Sequence, residues 1–441
     1  MSNETLNTTT QPLQKKIAGI IEHPTRFKLH NELHMGPCEL LEAPIQVSHL
    51  ALLIDADMAV HERQLISQLC DHYSVAPPAD DLNHFSVQLG SFRLKWERHS
   101  EFSSYTFMVN KPIDTPFVDN AIDHVPSSWL ESLPGEIIAA SHIVLENNQN
   151  PPRSLEELTK FFTANTLMGA EVASGSAIVW TDNKIHSDGF GRVLIHDLDL
   201  RARQAGRLIQ RLIEIATYRM LAMRPVPMAR QYIPILADFD ERLAKLTSIH
   251  SDLDNPDDER KLLDEITLLA AEIERISAQT TNQFSASRAY YHIVKQRTDQ
   301  LREKRIQGLQ MFHEFMEQRL TQAINTCVSV QKHLETLSNH VTRASSLLRT
   351  RVEITMEVQS RDLLQSMDNR VKLQLRLQKT VEGLSVVVLS YYTISIVAYG
   401  LKALKSAGVP INVEISTGIA IPVVIGVIYL GVRRLHKKLS H

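Results

Sequence analysis

Cysteine is scarce in this sequence. Its 441 residues contain three, Cys38, Cys70 and Cys327. They lie far apart and in no C-x-x-C arrangement, which excludes a disulfide framework or a zinc finger and fits a reducing compartment. Charge of one sign is also missing. The net charge is −3, with 22% charged residues, so no basic excess argues for nucleic acid as a partner. The opening segment, Met1 to Gln14, is polar and rich in Thr and Asn, and lacks the apolar stretch of a signal peptide. No G-x-x-x-x-G-K-[ST], G-x-G-x-x-G, H-E-x-x-H or G-x-S-x-G motif occurs. The sequence therefore gives no support for nucleotide-driven or hydrolytic chemistry. No enzyme activity, catalytic residue or cofactor is expected.

Proline and glycine are nearly absent from one long stretch. Between Asp257 and Glu382 there is no Pro and a single Gly, Gly308. Leu262, Leu263, Ile266, Leu269, Ile273 and Ile276 recur at helical spacing. Leu334, Leu337, Val341, Ala344 and Leu348 stand alternately three and four apart, the rhythm of a coiled-coil seam. Unbroken, a helix from Leu309 to Glu382 would extend on the order of 110 Å. Its seam must be covered by the Asp257–Gln307 segment folded back or by the same helix of other subunits. Both are expected, which makes the protein a homo-oligomer.

Long apolar runs occur only near the end. Leu384–Leu401 and Ile415–Val432 carry no charge. Each is about 18 residues, or roughly 27 Å of helix, close to the thickness of a bilayer core. They read as a transmembrane hairpin joined by the 402–414 loop. Arg370, Lys372, Arg376 and Lys379 precede it, and Arg433, Arg434, Lys437 and Lys438 follow it; the loop holds only Lys402 and Lys405. This distribution predicts a multi-pass protein of the cytoplasmic (inner) membrane with both termini in the cytoplasm and the lipid bilayer as a partner. Ser385, Ser390, Tyr391, Tyr392, Thr393, Ser395 and Tyr399 make the first span unusually polar, and Gly400 closes it. Such hydroxyls face other helices or water, so this stripe serves packing between first spans or lines a pore for ions.

The rest mixes strand and helix patterns. Pro44–Ile54, Phe85–Leu89, Phe92–Trp96, Tyr105–Val109, Ile137–Leu145, and the segments within Ala170–Thr181 and Arg192–Ile195 read as strands. Met58–Tyr73 reads as an amphipathic helix, and Ser154 with Glu157 as a capping box. The resulting class is α+β. A polar N-terminus (1–15), expected to be disordered, precedes an N-terminal α/β domain with a mixed sheet (16–198). Connecting helices (199–254), a long helical coiled-coil stalk (255–383), spans at 384–401 and 415–432, and a basic tail (433–441) follow.

Three segments concentrate functional groups. His30 and His34 stand four apart, a metal-ligand spacing on a helix, or else they bond local backbone. Glu97, His99 and Glu101 alternate along a strand, so two carboxylates flank an imidazole on one face. That row is a candidate divalent-cation or pH-sensing site, or simply a solvated face. Thr181–Arg192 is a polar loop holding Asp182, His186 and Asp188, residues that also suit a turn. An enzyme built on Glu97, His99 and His186 would need those side chains to converge in one cavity. In Gly206–Glu214, arginines and glutamate are spaced for salt bridges between helices.

The segments Arg26–His34, Trp96–Phe102, Thr181–Arg192, Gly206–Arg219, Phe284–Tyr291 and Leu373–Ser385 together resemble a bacterial family of predicted membrane-anchored proteins, domain of unknown function 3422. The resemblance spans nearly the whole chain. It implies a membrane anchor and brings no activity with it. The layout of N-terminal α/β domain, stalk helices and C-terminal hairpin also resembles the CorA-type magnesium channels. Tyr399-Gly400 stands where that family has Tyr-Gly, but Leu401 and Lys402 replace the Met and Asn of its Gly-Met-Asn loop. The resemblance thus implies a scaffold, sensor or noncanonical transporter, with a divalent-cation or other ion channel as the alternative.

Overall fold

Alternating apolar side chains in the first two hundred residues build one mixed sheet. The computed structural model describes residues 16–17, 20–21, 23, 26, 38–79, 82–149, 151–163, 166–249, 256–408 and 410–439. The proposed disordered terminus and the His30/His34 pair lie outside them. The chain divides into two compact units, Met1–Lys245 with Leu268–Thr342, and Leu246–Thr267 with Arg343–His441.

The first unit holds β1 (Lys16–Ile17) and β2 (Ile20–Ile21), paired with each other, and a nine-stranded sheet. The sheet strands are β3 (Ile45–Leu53), β4 (His84–Leu89), β5 (Phe92–Arg98), β6 (Phe102–Val109), β7 (Glu136–Glu146), β8 (Met168–Val172), β9 (Ala177–Thr181), β10 (Gly191–Asp197) and β11 (Lys304–Arg305). Their order is β11-β8-β9-β10-β7-β3-β6-β5-β4, and only β10 and β7 run parallel. The helices are α1 (Ala59–His72), α2 (Ser127–Glu131), α3 (Leu155–Leu158), α4 (Ala202–Met223), α5 (Val226–Ile249), α6 (Pro256–Gln300), α7 (Phe312–Phe315), α8 (Thr321–Ser406) and α9 (Val413–Leu439). The expected capping box at Ser154 forms: its hydroxyl accepts from Glu157 N, and the Glu157 carboxylate accepts from Ser154 N.

Period-two alternation gives each face of the sheet its own core. Phe92, Leu94 and Trp96 of β5, with Leu50, Tyr105 and Phe107, pack against Ile66 and Leu69 of α1. Val47, Ile143 and Ile195 pack on the other side against Leu208, Leu212 and Ile215 of α4. One buried carboxylate fastens α1 to its face. Glu62 is fully buried and accepts from Trp96 Nε1 at 2.8 Å, Tyr105 Oη at 2.5 Å and Arg98 Nη1 at 2.7 Å.

A short excursion between α6 and α8 covers the far edge of the sheet. Leu301 O accepts from Ala173 N at 2.9 Å, β11 pairs with β8, and Gln310 O accepts from Gly169 N at 3.1 Å. This corrects the expectation of a helix running unbroken from Leu309. Gly308, at φ +87°, turns the chain, and a five-residue π-turn at Met316–Leu320 separates α7 from α8. The uninterrupted helix starts at Thr321. Leu334, Leu337 and Val341 of the anticipated seam are buried in a single chain, where Arg288 Nη2 donates to Gln331 Oε1 at 2.7 Å and joins α6 to α8.

In the second unit, Leu262, Ile266 and Leu348 are buried, and Arg351 Nε meets Glu259 Oε1 at 2.6 Å. Beyond that pair α8 exposes Leu363, Leu364, Met367, Val371, Leu375 and Val381. The helix containing the first apolar run, and α9, are long and apolar enough to cross a membrane, with mean hydropathies of 1.8 and 2.2 over their most apolar windows.

Candidate functional site

A polar cavity lies on the α4 side of the sheet, within the first unit. It measures about 270 Å³ and is roofed by α4 over β3, β5 and β6. Its floor follows from strand alternation: Lys95 and Glu97 of β5, Ser104 and Thr106 of β6, and His49 of β3 all point away from the aromatic face. Gln210, Glu214, and the adjacent Thr217 and Tyr218 descend from successive turns on one side of α4, and Arg297 reaches in from α6.

The charges in the cavity are paired, one pair within β5 and one between helices. Lys95 Nζ and Glu97 Oε1 are 3.0 Å apart. Arg297 donates to Glu214, which also accepts from Gln210 Nε2 at 3.0 Å. The Glu214 partner is thus on α6 rather than along α4, as helix-to-helix pairing predicts. His49 Nδ1 meets Thr106 Oγ1 at 3.1 Å and Nε2 meets Thr217 Oγ1 at 3.2 Å, so both ring nitrogens are satisfied by hydroxyls. Burial, with smaller effects from His99 and Lys95, presses the His49 pKa down to about 3. Burial lowers the His99 pKa too, opposed by Glu97 and Glu214. Burial lifts the Tyr218 hydroxyl to about 12. The lining is therefore zwitterionic and the buried imidazole neutral, a setting suited to orienting a small polar guest by hydrogen bonds.

The sequence-selected residues separate here. Glu97 and His99 line the cavity, with His99 stacked on Phe102 at 4.2 Å. Glu101 falls in the hairpin between β5 and β6 instead of continuing the alternation, and it accepts from Tyr290 Oη at 3.0 Å. His186 is not part of this lining. It meets the buried carboxylate of Asp182 at 3.2 Å, and Asp182 also accepts from Thr163 N and Lys184 N, which ties down the Thr181–Arg192 loop. Among the described residues, no three His, Cys, Asp or Glu side chains are grouped to hold a metal. His49, Lys95 and Arg297 escaped the sequence reading, and Glu214 was read only as a salt-bridge partner. The available signals were a His inside an apolar strand and a Lys within an alternating one.

In the first apolar run, the hydroxyls of Ser385, Thr393 and Ser395 donate to carbonyls one turn back, at 2.8–2.9 Å. The rings of Tyr391 and Tyr392 meet edge-on at 5.8 Å, Lys402 sits over Tyr399, and nothing lies within 4 Å of a Cβ at Gly400.

The sequence from residue 21 to residue 439 matches the family described as "Protein of unknown function (DUF3422)". The chain belongs to the DUF3422 family. No curated protein and no solved structure matches it.

The buried imidazoles of the sheet predict a sensitivity to acid. Burial presses His142, which bonds Ser48 Oγ at 2.9 Å, down to about 4, while His49 stands near 3. Below about pH 6.5 the unfolded chain takes up protons at these imidazoles and the folded chain does not, so stability falls as pH falls toward those values. At pH 5 the His49 share of the loss is about 2 kcal/mol. Chemical denaturation at pH 7 and pH 5 checks this: His49→Gln should lose about 2 kcal/mol less than the parent between the two. Equal losses would place the acid sensitivity elsewhere.

Proposed function

We propose that this protein is a membrane-anchored, self-associating sensor or scaffold whose sheet domain takes a small polar ligand in the His49–Glu97–Arg297 cavity. The supporting observation is the pairing of two uncharged apolar runs, each inside a helix, with a zwitterionic cavity in the other unit. In this reading both helices cross the cytoplasmic membrane and both termini are cytoplasmic. The exposed Leu363, Leu364, Met367, Val371, Leu375 and Val381 fall within about a third of the circumference of α8, outside the apolar run. A helix this long with that face in water calls for a second copy of itself. The layout is CorA-like. A sensor or scaffold is favoured over a conductor because the hydroxyls of Ser385, Thr393 and Ser395 bond their own helix, and Lys402 and Lys405 carry positive charge where a cation would enter.

The test uses the full chain in cell membranes. It should resist alkaline carbonate extraction, dissolve in detergent, and scatter light as a particle heavier than one chain. A membrane-impermeant maleimide should label Ser406→Cys in intact cells and Ser360→Cys only after lysis. Release by carbonate, or equal labelling of both positions, would end the anchored reading. Liposomes that pass Mg²⁺, Co²⁺ or Ni²⁺ would move the protein to the channel class.

A further inference from the structure

A second cavity, of about 180 Å³, flanks α4 in the same unit. The start of β7 (Ile137–Ser141), the loop before β10 (Asn183–Gly191), and Ala216, Arg219 and Met220 of α4 form its walls. Its lining contains Arg219, Lys184 and Arg192 and no carboxylate.

Three observations bear on what fills it. First, Arg219 has no acid to answer its charge. Part of its surface opens into the cavity, but the protein packed around the guanidinium lowers its pKa to about 10, with burial as the sole cause. Nη1 donates to Asn183 Oδ1, a neutral acceptor, while Nε is buried without a partner. A buried guanidinium facing only a neutral amide is costly, and such charges are normally matched by an anion. Second, Ser141 Oγ is buried on the same lining and also has no partner. Third, the loop is shaped to hold Asn183 and Lys184 in place. Asn183 takes φ +52°, the buried Asp182 carboxylate accepts from Lys184 N at 3.2 Å, and Thr181 Oγ1 accepts from Asn183 N at 3.2 Å. Arg192 differs in having an acid: Nη2 meets Asp188 at 3.1 Å and Nη1 donates to Phe161 O at 3.3 Å, while its Nε is buried without a partner. Of the three cationic groups on the lining, Arg219 and the exposed Lys184 make no ion pair with a carboxylate among the described residues.

We propose that this cavity is a binding site for a small oxyanion, the phosphate group of a free phosphate or of a small phosphate monoester, clamped by Arg219 and Lys184 with Ser141 Oγ as an added donor. A guanidinium fork matches tetrahedral phosphate oxygens in two parallel hydrogen bonds, and a lysine adds a mobile point charge. The volume, well under the roughly 300 Å³ at which drug-sized sites begin, restricts the guest to that size. The site is separate from the His49 cavity, so the proposal stands whatever that cavity binds.

The full-length protein in detergent, at fixed ionic strength, is titrated with inorganic phosphate, glycerol phosphate, citrate or chloride, and heat uptake and melting temperature are followed. Phosphate should bind saturably and raise the melting temperature; chloride should do neither. Arg219→Gln should weaken phosphate binding at least about tenfold, the loss expected for one charge-assisted pair. Lys184→Gln, at an exposed position that leaves the fold alone, should weaken it several-fold and keeps the test valid should the Arg219 variant fold poorly. Tighter binding of glycerol phosphate than of inorganic phosphate would assign the site to a monoester, and the reverse to the free ion. No saturable binding of either, a preference for citrate over both, or undiminished binding in the Lys184 variant would overturn the proposal.

Discussion

Glu62→Ala should destabilise the sheet domain by about 3–5 kcal/mol, the loss expected when one member of a buried charge network is removed. The carboxylate holds three donors at once, Trp96 Nε1, Tyr105 Oη and Arg98 Nη1, and the two aromatic residues are fully buried, without solvent to fall back on. Truncation leaves the guanidinium without its carboxylate and two aromatic donors without acceptors, each a further penalty. The readout is convenient. The only tryptophans, Trp96, Trp129 and Trp180, all lie in this unit, so fluorescence-monitored urea unfolding of the full chain in detergent reports on it. Glu62→Gln keeps one acceptor oxygen and should fall between parent and alanine variant. A loss under 1 kcal/mol for the alanine variant would mean that water enters and satisfies the donors.

The second large effect is steric. Gly206 lies in α4, where a Cβ would sit 1.8 Å from Glu39 O. The two segments are held there by Leu41 N donating to Ala202 O at 3.1 Å, one turn earlier on the helix. In an unobstructed helix, alanine for glycine gains about 1 kcal/mol. Here the helix must lift from the strand-entry segment, so Gly206→Ala should lose about 2 kcal/mol or more net. Gly383→Ala, where nothing lies within 4 Å of the added methyl, is the control and should be neutral or stabilising. Since Gly206 also borders the His49 cavity, its substitution should alter ligand binding there as well as stability. Equal stabilities for the two alanine variants would show that the Glu39 backbone yields freely.

The strands were legible where alternation is clean. Phe85–Leu89 and Phe92–Trp96 became β4 and β5 with a tight turn at Gly90, and the stretch around Pro44–Ile54 became β3. The apolar helices near the end were legible for the same reason: a run of uncharged residues needs no partner to be recognised. The seam at Leu334–Leu348 was legible as a seam but ambiguous in what covers it, since three-and-four spacing says only that a face is buried. The cavities were not legible. Each draws on residues far apart in sequence, Lys95 with Arg297, or Ser141 with Arg219, and no local pattern encodes such a meeting. Glu101 was misplaced because period-two reasoning carried β5 past its end at Arg98 and through the turn before β6. β11 was invisible: two residues, both cationic, carry no strand signature of their own.

That two-residue strand has a consequence for how the chain is made. Eight strands of the sheet are complete by Asp197, yet β8 keeps an open edge until Leu301–Gln310 arrives, roughly a hundred residues later. At ordinary rates of synthesis this leaves an unpaired edge for about 5–20 s on each ribosome, the interval in which neighbouring nascent chains can join edge to edge. The edge is sealed before Leu384 is synthesised, so the sheet can be closed by the time the first apolar run leaves the ribosome.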